Sequence, residues 1–135
     1  MNQSKSYPKV LSIAGSDSSG GAGIQADLKT FSALGVYGAT AITAITAQNT
    51  LGVNSQFALE PQMVYDQIAA VMDDIEPSVV KIGMLSNTAI VEAVAKALHD
   101  YKPSFIILDP VIVSSTGHRL LSIGAQETIK EKLIP

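Results

Sequence analysis

Cysteine is absent from the 135 residues, and so is tryptophan. Without a thiol there is no disulfide and no thiolate-bound zinc or iron–sulfur centre, while the redox compartment stays open. Histidine occurs only at His99 and His118. Both read as surface residues, His99 beside Asp100 at a helix end and His118 beside Arg119, and neither supports a zinc site or a Ser/His/Asp hydrolase. Charge is sparse: 16% of residues are Asp, Glu, Lys or Arg, and nine basic against twelve acidic side chains leave a formal −3 with a pI near 5.2. That balance argues against an electrostatic nucleic-acid binder. No apolar run approaches the ~18 residues of a membrane-spanning helix. The polar opening Met1 to Tyr7 lacks the apolar stretch of a secretory signal, so a cytoplasmic protein is expected. Hydrophobic residues are plentiful at 47%, which excludes intrinsic disorder and suits one domain with a sizeable core.

The hydrophobic pattern changes period repeatedly along the chain. Lys9 to Ala14 is a short apolar run of the kind found in a strand covered on both faces. Gly15 to Gly23 is rich in glycine and small polar residues, which predicts an irregular loop. Ile24, Leu28, Phe31 and Leu34 then recur at helical spacing, with Gly35 as a stop. Tyr37 to Ala47 is a second strand, and Leu51-Gly52-Val53 and Gln56-Phe57-Ala58 are read as two short extended arms of an excursion. Pro61 opens a helix with the stripe Val64, Ile68, Val71 and Ile75. Val79 to Met84 is a third strand, and Asn87 or Thr88 caps a helix carrying Val91, Val94 and Leu98. Phe105 to Leu108 is a fourth strand, almost wholly apolar, and Ile123 to Leu133 has helical spacing at Ala125, Ile129 and Leu133. Strand alternating with helix predicts an α/β fold: a parallel sheet wrapped by helices on both faces. No internal repeat or linker divides the chain, although an alternating fold would enter another strand after Ile134-Pro135.

Ligands of open parallel sheets collect at the carboxyl ends of the strands, and the four segments leaving those ends carry the unusual residues. Consecutive N–H groups in Gly15 to Gly23, ahead of a helix N-terminus, can form an anion-binding nest, a reading favoured over a simple helix cap. The segment is not a Walker A loop, because Gly21-Ala22 stands where Lys-Ser/Thr belongs; nor does an acidic residue follow Gly21-Ala-Gly23 at the dinucleotide-fold spacing of about 20. Asp17 reads as a loop or capping residue, and Asp27 either favours the helix dipole or faces a ligand. Gln48-Asn49 closes the second strand, where an amide offers a heteroaromatic ring a donor and an acceptor or satisfies loop backbone. Met84 is placed to pack on a flat ring or within the core. Asp109, ahead of Pro110-Val111, faces the cleft and can hold a metal-bound phosphate, with Ser114 to Gly117 after it as a flexible segment.

Four motifs together resemble one family. Leu11-Ser-Ile-Ala-Gly-Ser-Asp-Ser-Ser-Gly-Gly-Ala-Gly-Ile-Gln-Ala-Asp-Leu-Lys-Thr-Phe31 is similar to the opening of the hydroxymethylpyrimidine/phosphomethylpyrimidine kinases of thiamine biosynthesis, in the ribokinase-like superfamily. Ala44-Ile-Thr-Ala-Gln-Asn-Thr50, Lys81-Ile-Gly-Met-Leu85 and Asp109-Pro-Val-Ile-Val113 follow in the family's order. The resemblance implies a three-layer ribokinase-like fold, with residues 1–135 as the N-terminal part of one kinase domain, roughly its first half. It implies that Gly15 and Ala22 wall the substrate, that Asp27 lies near the pyrimidine and that Gln48 hydrogen-bonds it. Met84 and Val111 would contact the ring, and Asp109 would lie near the phosphates and Mg2+. The parent would use ATP and Mg2+, act as a homodimer, and cover its substrate with the Leu51 to Phe57 excursion. The resemblance assigns the glycine-rich loop to the pyrimidine and not to phosphate. The nucleotide loops and anion hole are expected beyond this chain, so no catalytic residue is assigned within it and the isolated chain is expected to be inactive. Pyridoxal kinases share the glycine-rich opening and are the alternative, but Gln48-Asn49-Thr50 favours the pyrimidine. A non-catalytic protein that binds a small ring is the other alternative.

Overall fold

The computed structural model describes residues 6–134, so Met1 to Lys5 of the polar opening, and the final Pro135, lie outside the described residues. Nine elements follow in order: β1 (Lys9–Asp17), α1 (Gly23–Ala33), β2 (Tyr37–Asn49), β3 (Gly52–Ala58), α2 (Pro61–Asp74), β4 (Val79–Ile82), α3 (Thr88–Tyr101), β5 (Phe105–Leu108) and α4 (Ile123–Lys132). They form a five-stranded sheet in the order β3-β2-β1-β4-β5.

The strand–helix alternation is as expected, but the sheet is mixed. β2, β1, β4 and β5 are parallel, whereas β3 runs antiparallel to β2. Only Thr50 and Leu51 separate β2 from β3, and a parallel crossover needs about a dozen residues. The excursion therefore folds back as a single hairpin strand instead of two separate arms. Its edge covers only the second half of β2. Further back, Gln67 of α2 bonds the Ile42 N–H and C=O, both at 2.9 Å, and so satisfies the backbone that β3 does not reach.

Successive strand residues point to opposite faces, and the two faces are unequal. Leu11, Ile13, Ala41, Val80 and Ile82 point to one side, where Val64 and Ile68 of α2, Val91 and Val94 of α3, and Ala125 and Ile129 of α4 complete the main core. α1 alone packs on β1 and β2 from the other side. It approaches closely because Gly38 has no side chain: a Cβ there would lie 2.7 Å from Phe31 and 2.8 Å from Leu28. Of the apolar stripe expected on α1, only Ile24 is fully buried, and Leu34 is exposed. At α3 the cap is Asn87, whose side chain accepts from the Ile90 N–H at 3.0 Å, and not Thr88.

Two strands differ from their apolar reading. β1 continues through Gly15 to Asp17, because Ser16 and Asp17 pair with β2 after an irregularity at Gly15; the irregular loop shrinks to residues 18–22. β5 has the composition of a buried strand yet stands at the sheet edge, with Phe105, Ile106 and Ile107 exposed at 69%, 48% and 56%.

Candidate functional site

A cavity of about 390 Å³ opens where β1, β2, β4 and β5 end, and Gly15, Ala22, Asp27, Gln48, Met84, Asp109 and Val111 all line it. Residues up to 96 positions apart thus meet because parallel strands deliver their carboxyl ends to one rim. Thr46, Lys81, Ser114 and Leu120 also line it, and the sequence analysis gave none of them a role at the site.

The glycine-rich turn does form a nest, but the nest is already filled. Asp17 Oδ2 accepts from the N–H groups of Gly21 at 3.0 Å and Ala22 at 2.8 Å, while Oδ1 accepts from the N–H and hydroxyl of Ser19 at 2.9 and 2.8 Å. Burial alone would raise the Asp17 pKa, yet the Ser19 hydroxyl and the Ser19, Ala22 and Gly21 N–H groups outweigh it and hold the carboxyl below its ordinary 3.8. An external phosphate would have to displace this internal anion. The expectation of an open anion site is corrected accordingly, and the turn serves as a rigid wall. Gly23 closes it. With φ +58° and a hypothetical Cβ only 2.3 Å from the Gly15 carbonyl oxygen, position 23 admits no side chain.

The opposite wall is apolar. Met84, Leu120 and Ala44 are buried together, with Val53 and Val111 packed against them. Met84 lies just beyond β4, where the Thr43 hydroxyl donates to its carbonyl oxygen at 2.6 Å. A Cβ at Gly15 would stand 2.8 Å from Met84 Cε, so the missing side chain there leaves the thioether its place on the cavity wall.

Gln48 is anchored through its backbone: its N–H donates to Ser18 Oγ at 2.8 Å, and the Ser18 hydroxyl donates to its carbonyl at 2.6 Å. Its side-chain Oε1 accepts from the Thr46 hydroxyl at 3.1 Å. The amide nitrogen is not engaged in this network, so the side chain can donate to a ring nitrogen while its oxygen accepts from a neighbouring amine.

Charge is arranged on the floor and at the rim. Asp27 accepts from Lys81 Nζ at 3.0 and 3.1 Å and from the Ser12 hydroxyl at 2.6 Å, an arrangement quite different from an exposed dipole-stabilising acid. Asp109 follows β5, and its N–H donates to the Ile82 carbonyl at 2.9 Å. With Asp17 in the nest and Asp27 in an ion pair, Asp109 supplies the cavity's uncommitted carboxylate. One carboxylate beside substrate phosphates fits Mg2+, which usually keeps several waters. Among the described residues no group of three His, Cys, Asp or Glu is placed to hold a metal ion unaided. His99 and His118 are exposed, as expected. Val113 pairs with Arg119 across a turn, so the segment after Asp109 is a small hairpin at the cavity mouth. No helix of the described residues is long and apolar enough to cross a membrane.

Residues 17–135 match the family model described as phosphomethylpyrimidine kinase. The chain is 52% identical over 126 residues to hydroxymethylpyrimidine/phosphomethylpyrimidine kinase of Escherichia coli (strain K12), covering 93% of this chain and 47% of that protein. Among solved structures, phosphomethylpyrimidine kinase from Clostridium difficile 630 superposes with a TM-score of 0.88 at 52% identity, over 94% of this chain and 55% of that one. The pyridoxal kinase from Staphylococcus aureus in complex with AMP-PCP and pyridoxal gives a TM-score of 0.80 at 32% identity, over 96% and 46%. The chain spans about half the length of the relatives it matches. The architecture is that of the ribokinase-like kinases, and the chain belongs to the phosphomethylpyrimidine kinase family.

Proposed function

We propose that residues 1–135 are the N-terminal, substrate-binding part of a single ribokinase-like domain. Its parent enzyme transfers the γ-phosphoryl group of ATP to 4-amino-5-hydroxymethyl-2-methylpyrimidine and then to the monophosphate, in thiamine biosynthesis. One observation carries the reading: a single cavity brings together the apolar Met84 and Val111, the glycine-rich turn, Gln48 and Asp109. Its volume of about 390 Å³ lies within the ~300–1,000 Å³ typical of ligand pockets. In this reading Gln48 bonds the aminopyrimidine edge, Met84 and Val111 contact the ring from the apolar wall, and Gly15, Ala22 and Asp27 bound it. Asp109 would hold Mg2+ beside the substrate phosphate, and the ion would supply charge neutralisation for phosphoryl transfer. The reaction itself depends on nucleotide contacts outside these residues, consistent with the half-length match to the relatives. The AMP-PCP bound by the staphylococcal neighbour supports ATP as the donor. Exposed Leu51 and Phe57 on the β2–β3 hairpin support a homodimer of the parent, and a cytoplasmic location suits its small-molecule substrate.

Pyridoxal is the second reading, favoured by the neighbour that holds it. Gln48-Asn49-Thr50 and the higher identity to pyrimidine kinases favour the pyrimidine. Calorimetric titration of the chain with each compound decides between them. Tighter binding of the hydroxymethylpyrimidine is expected, and tighter binding of pyridoxal would overturn the assignment.

A further inference from the structure

Two polar residues interrupt strands that are otherwise built for burial. Ser12 sits among Leu11, Ile13 and Ala14 in β1 and is fully buried; Lys81 sits among Val79, Val80 and Ile82 in β4, with 19% of its side chain exposed. They are directly opposite each other in the parallel ladder. Both therefore point to the same face, where α1 delivers Asp27, itself only 16% exposed. The cluster is tightly built. The Ser12 hydroxyl donates to Asp27 Oδ2 at 2.6 Å, and the Lys81 ammonium reaches both carboxylate oxygens at 3.0 and 3.1 Å. Room for that ammonium depends on Gly83, where a Cβ would lie 3.2 Å from Nζ and 2.9 Å from Ala14 Cβ.

Stability alone is a poor reason for such a cluster. A desolvated ion pair is often no better than apolar residues of the same volume, and the adjoining positions of both strands are apolar. The cluster has a second property: Asp27 and Lys81 both face the cavity. A carboxylate accepts about four hydrogen bonds, and three are committed to Ser12 and Lys81, which leaves acceptor capacity on Asp27 Oδ1. Three hydrogen bonds from two donor groups, one on each strand, fix the plane of the carboxylate, so that capacity has one direction.

We infer that Lys81, with Ser12, is a positioning residue for ligand recognition: it holds the Asp27 carboxylate in one orientation, so that Asp27 accepts from an N–H or O–H donor on the bound ring. Lys81 acts through Asp27 and leaves the pair neutral, which suits an uncharged heteroaromatic ligand. The inference rests on the cavity being the ring site proposed above.

The test is a double-mutant cycle on the full chain, with 4-amino-5-hydroxymethyl-2-methylpyrimidine as the calorimetric probe and circular dichroism as a check on folding. Lys81→Met and Asp27→Asn are each expected to weaken binding about tenfold, the effect of spoiling one charge-assisted hydrogen bond. Lys81→Met/Asp27→Asn is expected to bind no more weakly than Asp27→Asn alone, and Lys81→Arg to retain most of the affinity. A merely structural lysine would not show this masking, nor would one that touches the ligand itself. Wild-type affinity in a folded Lys81→Met, or losses that simply add in the double variant, overturns the inference while leaving the ring site intact. If Lys81→Met fails to fold, the comparison of the double variant with Asp27→Asn decides the matter, because the double variant buries no unpaired charge. A wild-type chain that binds no pyrimidine overturns both the site and the inference, and so separates the two failures.

Discussion

The filled nest at the end of β1 makes a demanding prediction. Asp17 is 3% exposed and receives four hydrogen bonds, three of them from backbone N–H groups. In Asp17→Asn one oxygen remains. It is best spent on the Gly21 and Ala22 N–H groups, which turns the new NH2 toward Ser19. The Ser19 hydroxyl can rotate to accept from it, but the Ser19 N–H is orphaned and the other bonds lose their charge assistance. Charge-assisted bonds contribute roughly 1.5–3 kcal/mol against 0.5–1.5 for neutral ones, so the substitution should cost about 2–4 kcal/mol in urea unfolding. The folded-state pKa of Asp17 lies below its unfolded value of 3.8. Its stabilisation is therefore complete above that value and is lost as pH falls through the folded value; the Asn variant should lack this acid-dependent component. Asp17→Ala vacates the nest altogether. Millimolar inorganic phosphate should then raise the Tm of that variant more than it raises the wild type's. An Asn variant as stable as wild type, or equal phosphate stabilisation of wild type and Asp17→Ala, would refute the internal-anion account.

Two glycines separate effects on binding from effects on stability. Gly15→Ala brings a methyl to 2.8 Å from the flexible end of Met84, which can swing into the cavity; thermal melting should shift little, while pyrimidine affinity falls about tenfold by calorimetry. Gly23→Ala has no such escape, since its methyl meets the Gly15 carbonyl at 2.3 Å and the backbone is left-handed. Denaturant unfolding should report a loss of about 2–5 kcal/mol from strain and overpacking together.

Much of the scaffold was legible because local rules govern it. Val64 and Ile68 bury the helical stripe that Pro61 opens, and Asn87 caps α3. Gly15, Gln48, Met84 and Asp109 stand at strand ends, where a parallel sheet must place its ligand. What was hidden depends on partners distant in sequence. Gly15 to Asp17 have loop composition but are held extended by β2. The occupant of the nest is the chain's own Asp17, which no count of glycines discloses. Phe105 to Leu108 is legible as an apolar strand, but its place at the edge of the described sheet follows only from the strand order. The Ser12–Lys81–Asp27 cluster left a trace in the sequence, a serine and a lysine in apolar strands, but its meaning required the register that sets Ser12 opposite Lys81.

Recognition of the aminopyrimidine edge by Gln48 is the centre of this account, and calorimetric titration of wild type and Gln48→Ala with 4-amino-5-hydroxymethyl-2-methylpyrimidine tests it most directly. Loss of the ring's hydrogen bonds should weaken binding by about 1–3 kcal/mol, roughly 5- to 150-fold, with thermal stability little changed, because the Ser18 anchors are to the Gln48 backbone and the Thr46 hydroxyl keeps its 2.8 Å bond to the Ser16 carbonyl. Equal affinity in the two proteins, or no binding by a folded wild type, would contradict the account.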